Sequence, residues 1–570
     1  MAALQQYSWL IAVISIAFCF SAFGNGGNDV ANSYATSVAA RTLKMWQAGV
    51  LSMVTEFVGA VALGSGVTNT IKNKIMDINR FKGKPGTLIL AMTCAEIGSA
   101  SWLTIANYLG FPVSTTHTVV GSLVGAGIAS QANISWSWTS GSVSQIAASW
   151  AIAPLISASM ASVLFLTLKF SVLERQDPFK WAMRLIPFYL AFTGGVLALF
   201  IVIELPTAPS LEDFGAAKAV GIVIGTFGGV LAVSYTFFLP YFHRRLVLND
   251  ARIQAWHLPL GPLLWRDNPP LYWPGNNGNP VGAVTKDHYR NARHGVTLTA
   301  DSSVLAHGDG ESKSSPESVA ADHPSALEQG HSNEAPRVRK RHLEPEERFL
   351  APTKNLKVYA PARLWSWTKY LLLQGVTRDV TSHDSEHLEK THARAKQYDN
   401  KVEHLWTYAQ VVSAMMMSIA HGSNDVANAV GPWVAAYSTY QAGAVDSKSP
   451  TPIWILVIAG FLLGLGFWVV GWRIVASLGN KITQMSPTRG FAIELGAAIT
   501  VLLASRLSLP VSTTHCLTGA TMGVGLMNFS LGATNWRQLA WIFMGWVLTL
   551  PVAGFISGLL MLMALNTPHF

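Results

Sequence analysis

The chain of 570 residues is 50% hydrophobic and only 12% charged, with a formal net charge of +9. Several apolar runs reach about 18 residues, enough to cross a bilayer as a helix, so the composition excludes a soluble globular enzyme and points to a polytopic membrane protein. The basic residues stand beside helix ends and in one polar loop, where they orient a chain in the membrane, and no nucleic-acid surface is expected.

The first apolar run, Trp9 to Phe23, follows an uncharged tail and has no small-residue cleavage site after it, which predicts a retained span rather than a removed signal. It leads into "GNGGNDVANSYATSV" (24–38), where glycines, asparagines and an aspartate are expected to break the helix. Further spans are predicted at 46–66, 144–170, 185–205 and 215–242, with a hairpin over 87–129 that folds back at Pro112 inside "FPVSTTHTVVG" (111–121). Hydropathy thus divides the chain into a membrane block at 1–242, a polar loop at 243–404 and a second membrane block at 405–570. The loop carries over half of the charged residues, and its "GDGESKSSPESVAADHPSALEQGHSNEAPRVRKRH" has the composition of disorder. Within it, "ARLWSWTKYLLL" (362–373) predicts a short helix, lying on the membrane surface or packed on the helices above. Cys19, Cys94 and Cys516 lie in apolar segments without CxxC spacing and predict neither a disulfide framework nor a thiolate metal site.

The second block repeats the first. "HGSNDVANAVGP" (421–432) pairs Asn424, Asp425 and Asn428 with Asn28, Asp29 and Asn32; "LPVSTTHCLTG" (509–519) pairs with the first hairpin; Glu494 pairs with Glu96. Counting crossings from an outer N-terminus puts Arg41, Lys44, Arg175, Lys180, Arg184, Arg244 and Arg245 in the cytoplasm, with the large loop. Lys72, Lys74, Arg80, Lys82 and Lys84 fall outside against the rule. An odd number of spans separates the two repeats, so they must be inverted, and the sequons at Asn133 and Asn528 must lie on opposite faces. The expected fold is therefore an all-α polytopic membrane protein of two inverted-topology repeats with broken helices and re-entrant hairpins, plus a disordered cytoplasmic loop.

Unwound backbone is tolerated inside a membrane only where protein or a wet cavity satisfies it, and repeat interfaces near the midplane enclose transport sites. After each "PV", Ser114 or Ser512 can cap a helix whose first N–H groups and positive dipole end suit an anion, with Thr115, Thr116, Thr513 and Thr514 adding hydroxyl donors around a tetrahedral oxyanion. Asp29 and Asp425 would repel such an anion unless cations neutralise them. Oxygens from Asp29, Asn32, Asp425 and Asn428 suit hard alkali ions, so cation and anion are coupled by charge balance. Glu56, Glu96 and Glu494 are further intramembrane acids. His117 and His515 read as hydrogen-bond partners rather than metal ligands, and His421, which has no counterpart in the first repeat, as a group for proton dependence.

On these duplicated signatures and the long polar loop, the chain resembles the inorganic phosphate transporter (PiT) family, most closely its fungal sodium-coupled phosphate symporters. The resemblance implies sodium-driven uptake of inorganic phosphate across the plasma membrane, no enzymatic activity, and no cofactor beyond co-transported sodium. It implies phosphate positions at Asn28, Ser114, Thr115, Thr116, Asn424, Ser512, Thr513 and Thr514, sodium positions at Asp29, Asn32, Asp425 and Asn428, and important acids at Glu56, Glu96 and Glu494, here read with sodium. The partners expected are phosphate, sodium and the lipid bilayer, with a homodimer left open. Sulfate in place of phosphate, or protons in place of sodium, remain alternatives from the residues. An intramembrane aspartyl protease is disfavoured because Asn28 and Asn424 separate glycine from the aspartates and "PVSTTH" has no role in it.

Overall fold

The computed structural model describes residues 4–139, 141–204, 215–272, 285–289, 342–382, 385–447 and 449–567. Among these, helices are the regular elements, beside one isolated bridge between Met76 and Ile134. Nine helices among the described residues are long and apolar enough to cross a membrane. In chain order the first block contains α1 (Ser8–Asn28), α2 (Val30–Ala39), α3 (Met45–Leu63), α4 (Ser65–Asn73), α5 (Pro85–Leu109), α6 (Thr115–Ala129), α7 (Val143–Leu168), α8 (Pro178–Glu204) and α9 (Ala216–Val233). Two shorter helices follow in the polar region, α10 (Pro361–Thr377) and α11 (Glu386–Ala393). The second block contains α12 (Asn400–Ala442), α13 (Ile453–Val470), α14 (Trp472–Ile482), α15 (Pro487–Arg506), α16 (Thr513–Leu526) and α17 (Trp536–Leu565).

The hairpins turn where the sequence predicts. α5 ends on Gly110 in the left-handed region (φ 71°), which glycine enters without steric cost. Ser508 takes the same conformation at the equivalent turn (φ 52°). Pro112 and Pro510 follow, neither able to continue a helix, and Ser114 and Ser512 cap α6 and α16 by accepting from the N–H of His117 and His515, both at 3.2 Å.

Inversion can be read along α7 and α17. α7 starts at the base of the first hairpin, where Val143 N donates to Ser135 O (2.9 Å). It then passes the tip of the second hairpin, Trp150 O lying 3.1 Å from His515 Nδ1. It ends at that hairpin's base, where Lys169 Nζ donates to Met527 O (2.8 Å). α17 makes the reverse journey: Asn535 N donates to Ile482 O (2.8 Å), Trp541 stacks on Phe111 at the first tip, and Gly558 packs on Gly125 near the first base. Each of these helices thus covers the hairpin of the other repeat. The 26 residues of α7 rise about 39 Å. The 15 of α6 and 14 of α16 rise about 22 and 21 Å, so each of these arms reaches about half the thickness. Asn133 O, bonded to Asp77 N (2.9 Å), lies at one end of the molecule and Asn528, bonded to Arg489 (3.0 Å), at the other, as inversion requires.

The second exchange is between α3 and α13. α1 packs on α13 and α12 packs on α3, in contacts that admit no side chain. A Cβ on Gly26 would lie 1.9 Å from Leu463 O, and one on Gly466 2.0 Å from Phe23 O. At the other contact a Cβ on Gly59 would lie 2.4 Å from Ile419 O and one on Gly422 2.7 Å from Glu56 O. This corrects the reading of the glycines as helix breakers. The first signature interrupts its helix only at Asp29, whose backbone stays near helical values (φ −92°, ψ −27°), and the second lies inside the uninterrupted α12. The glycines instead bring two backbones together. The other interruptions fall at Gly64 between α3 and α4 and at Gly471 between α13 and α14.

In the polar region, α10 spans the predicted 362–373 helix and packs on α13. Trp365, Leu371 and Leu372 are exposed, and Gly375 is seated against the Trp468 carbonyl. Residues 308–341, which carry the disorder-like composition, lie outside the described residues.

Candidate functional site

The two signatures and the two hairpin tips meet at one buried centre. Asn28 and Asn424 act as clamps for their own hairpins: Asn28 Oδ1 accepts from Val113 N (3.0 Å) and its amide donates to Phe111 O (2.9 Å), while Asn424 Oδ1 accepts from Val511 N (3.2 Å) and its amide donates to Leu509 O (3.2 Å). Behind them stand Asn107 (3.0 Å) and Ser505 (3.1 Å), at matching places in α5 and α15.

Around the centre the repeats cross. Asp29 Oδ2 accepts from Thr115 N (3.1 Å) and Thr115 Oγ1 (2.6 Å), and its Oδ1 accepts from Thr514 Oγ1 (2.8 Å) of the opposite hairpin. Asp425 Oδ2 accepts from Thr513 Oγ1 (2.7 Å). Asn32 Nδ2 donates to Thr514 Oγ1 (2.8 Å), and Asn428 Nδ2 to Thr115 Oγ1 (2.9 Å) and Thr116 Oγ1 (3.2 Å). The tips bind each other reciprocally, Thr116 to Val511 O (3.0 Å) and Thr514 to Val113 O (3.1 Å).

One repeat adds a group that the other lacks. His421 lies between two carboxylates, Nδ1 at 2.6 Å from Glu56 Oε2 and Nε2 at 3.2 Å from Asp425 Oδ2. Ser418 Oγ donates to the other oxygen of Glu56. The matching place in the first repeat is Asn25, whose amide donates to Asp425 O (2.8 Å). Ligand atoms of Asp29, His421 and Asp425 lie within 4.8 Å of one another.

The chemistry still open here is specific. Asn25 Oδ1, Asn32 Oδ1, Asp425 Oδ1 and Asn428 Oδ1 are buried acceptors without a donor. An unsatisfied buried polar atom costs about 1–3 kcal/mol, and what satisfies several converging acceptor oxygens is a hard cation. Of the donors suited to an oxyanion, Thr115 N and the hydroxyls of Thr115, Thr116, Thr513 and Thr514 are engaged with the aspartates and the facing tips, so an anion would enter by exchanging with these bonds.

The structure gathers Asp29, Asn32, Asp425 and Asn428 with the six Ser/Thr residues of the tips, and it connects Glu56 to them through His421. Glu96 and Glu494 stand apart from this centre. Glu494 accepts from Thr36 (2.5 Å), Ser37 (2.6 Å), Ser413 (2.7 Å) and Gln410 (3.3 Å), joining α2, α12 and α15 on the side of the polar region. Glu96 is fully buried in α5 near Ser21. His117 and His515 meet edge to face behind the tips, their ring centroids 4.5 Å apart. Asn25, Asn107, Ser505 and Ser418 were missed from the sequence. Asn107 and Ser505 are separated by the same interval as Ser114 and Ser512, so aligning the repeats over their full length would have found that pair.

The sequence profile of the phosphate transporter family matches residues 25–557. A phosphate-repressible phosphate permease of Neurospora crassa is 37% identical over 594 residues, covering 100% of this chain and 99% of that protein. The sodium-dependent phosphate transporter 2 of Homo sapiens is 27% identical over 648 residues, with 98% of each chain covered. A solved structure described as the sodium-dependent phosphate transporter is similar in fold, with a TM-score of 0.62 and 24% identity over 98% of this chain and 100% of that one.

Proposed function

The chain belongs to the phosphate transporter family, and on that premise we propose that it is a sodium-coupled symporter taking up inorganic phosphate across the plasma membrane by alternating access. The observation that carries this reading is the pairing of opposites at one buried centre: acceptor oxygens of Asn25, Asn32, Asp425 and Asn428 without donors, beside two capped helix starts rich in donors. Sodium entering among the first lowers the electrostatic barrier that Asp29 and Asp425 raise against an anion, so phosphate follows the cation. In this reading sodium is held by Asp29, Asn32, Asp425 and Asn428. Phosphate is held by the Ser-Thr-Thr turns, which release their bonds to the aspartates as it arrives, and Asn28 and Asn424 hold those turns in place. Glu56 acts through His421 on Asp425, and Glu494 closes the side of the polar region, which faces the cytoplasm. Relatives named as sodium-dependent phosphate transporters support the choice of ions.

The test is uptake of labelled phosphate into reconstituted vesicles under an inward sodium gradient, with sodium replaced by choline at several pH values and with sulfate as competitor. Sodium-stimulated uptake that excess sulfate leaves unchanged is the expected result. Uptake indifferent to sodium and driven by a proton gradient would replace the coupling ion, and equal inhibition by sulfate would replace the substrate.

A further inference from the structure

A five-residue piece of the polar region, 285–289, is docked at the corner between α2 and α3, outside the seal that Glu494 makes. His288 is 2% exposed; its Nδ1 lies 2.9 Å from Ala40 O at the end of α2, and its N–H donates to Asn400 Oδ1 (3.0 Å). Tyr289 OH donates to Glu403 Oε1 (2.6 Å) and accepts from Tyr398 N (3.2 Å), fixing the strap to the start of α12. Arg41 donates to Asp287 O (3.4 Å). The strap therefore ties the end of α2 to α12, next to the bond that Thr42 donates to Gln410.

Docking also gathers charge. Lys286, whose surface is exposed, comes under the influence of Lys44 and Arg245, and partial desolvation together with these two cations depresses its ammonium. His404, one turn along α12 from Asn400, lies within electrostatic reach of Arg245, His288 and Lys286, and burial together with these groups holds its imidazole below the usual range. The two buried imidazoles each leave Nε2 without a partner. With Nδ1 of His288 donating to the Ala40 carbonyl, its Nε2 carries a lone pair, so it accepts a hydrogen bond rather than giving one. A group that fits must bring negative charge for the cations and an O–H for the imidazole. Hydrogen phosphate has both, and sulfate at neutral pH has only the first.

We propose that the docked strap completes a second hydrogen-phosphate site at the end of the molecule bearing the polar region, in which Lys44, Arg245 and Lys286 face the oxyanion and the imidazole of His288, with His404 beside it, takes its P–OH. A phosphate there holds strap, α2 and α12 together and so keeps the Glu494 seal shut. If the transport reading holds, this is a brake by accumulated product. The same chemistry is offered by free phosphate or by the phosphomonoester head of an inositol lipid.

The test uses full-length protein with Asp29→Asn and Asp425→Asn in the central site, and labelled inorganic phosphate in lipid-free detergent. Saturable binding is expected to remain, to resist excess sulfate, and to weaken by at least about tenfold on adding Lys44→Ala and Lys286→Ala. Loss of all binding with the two aspartates, indifference to the lysines, or equal displacement by sulfate overturns the site. Lys286→Gln alone serves if the double lysine variant melts early. Competition by vesicles containing a phosphoinositide would identify the lipid as the natural ligand, and its absence free phosphate. In vesicles of otherwise unchanged protein, phosphate preloaded on the strap side should slow uptake, and Lys286→Gln should relieve that slowing; slowing that persists overturns the brake. Uptake failing altogether while binding survives counts against the transport reading and leaves the site standing.

Discussion

The two repeats build matching walls and unlike floors. Asn28 and Asn424 clamp their hairpins alike, and Thr115 and Thr513 reach their aspartates at 2.6 and 2.7 Å. Yet Asp29 is surrounded by donors from both hairpins, whereas Asp425 keeps one oxygen without a donor and shares the other with His421. Asn25, where the second repeat has His421, supplies an amide instead. Symmetry thus brings the two signatures and the two tips to one centre, and departures from symmetry leave the spare acceptor oxygen on Asp425. Asp425 is the half with spare coordinating capacity, and it is the one that His421 links to Glu56.

The largest effects should come from the aspartates. Asp29→Asn and Asp425→Asn are each expected to reduce sodium-stimulated phosphate uptake at least about a hundredfold, the loss of one or two hydrogen bonds to a charged group. Initial rates against sodium concentration, at matched protein levels, should show the residual activity of Asp425→Asn saturating at higher sodium than that of Asp29→Asn. Equal sodium curves in the two variants would mean that the spare oxygen of Asp425 has no part in cation binding.

A smaller effect comes from making the repeats alike. His421→Asn copies the first repeat and leaves Glu56 buried with Ser418, and removing one partner of a buried hydrogen bond costs about 1–3 kcal/mol. Thermal unfolding of the detergent-purified protein should fall accordingly, and adding Glu56→Gln should recover part of the loss. A double variant no more stable than His421→Asn alone would show that the two side chains do not act as a pair.

The smallest effect tests the symmetry itself. Ser114→Ala and Ser512→Ala each remove a helix cap worth about 1 kcal/mol, and because both serines accept at 3.2 Å the two losses should match. Combined, they should raise the phosphate Km. Unequal losses of stability would show that the two helix starts are not equivalent, and an unaltered Km would place the anion elsewhere.

Much of this was readable in the sequence because duplication marks it twice. "PVSTTH" marks the tips and the caps, since proline and serine act through local backbone chemistry, and the odd count of spans between the two signatures gives the inversion, whereas the clamping role of Asn28 and Asn424 was not read. The meaning of the glycines was not readable. Gly26 and Gly422 sit in polar motifs that look like breaks, but what they answer to is the carbonyl of Leu463 and of Glu56, hundreds of residues away or on another helix. The His421–Glu56 contact was hidden for the same reason, since Glu56 lies on the exchanged α3, and the Glu494 cluster was hidden because it joins α15 to α2 of the other repeat. A motif reports the chain around it, and a contact between exchanged helices leaves no such local trace.

That exchange also sets the order in which the protein can be made. The first hairpin is synthesised long before α17, the helix that covers it, so through most of translation α6 has its capped start and its glycines Gly121 and Gly125 facing whatever the insertion machinery or lipid provides. A chain holding one repeat alone would never complete its own cover. It could do so only by meeting a second copy inserted the other way up, and the long polar region between the blocks is the tether that makes that meeting intramolecular.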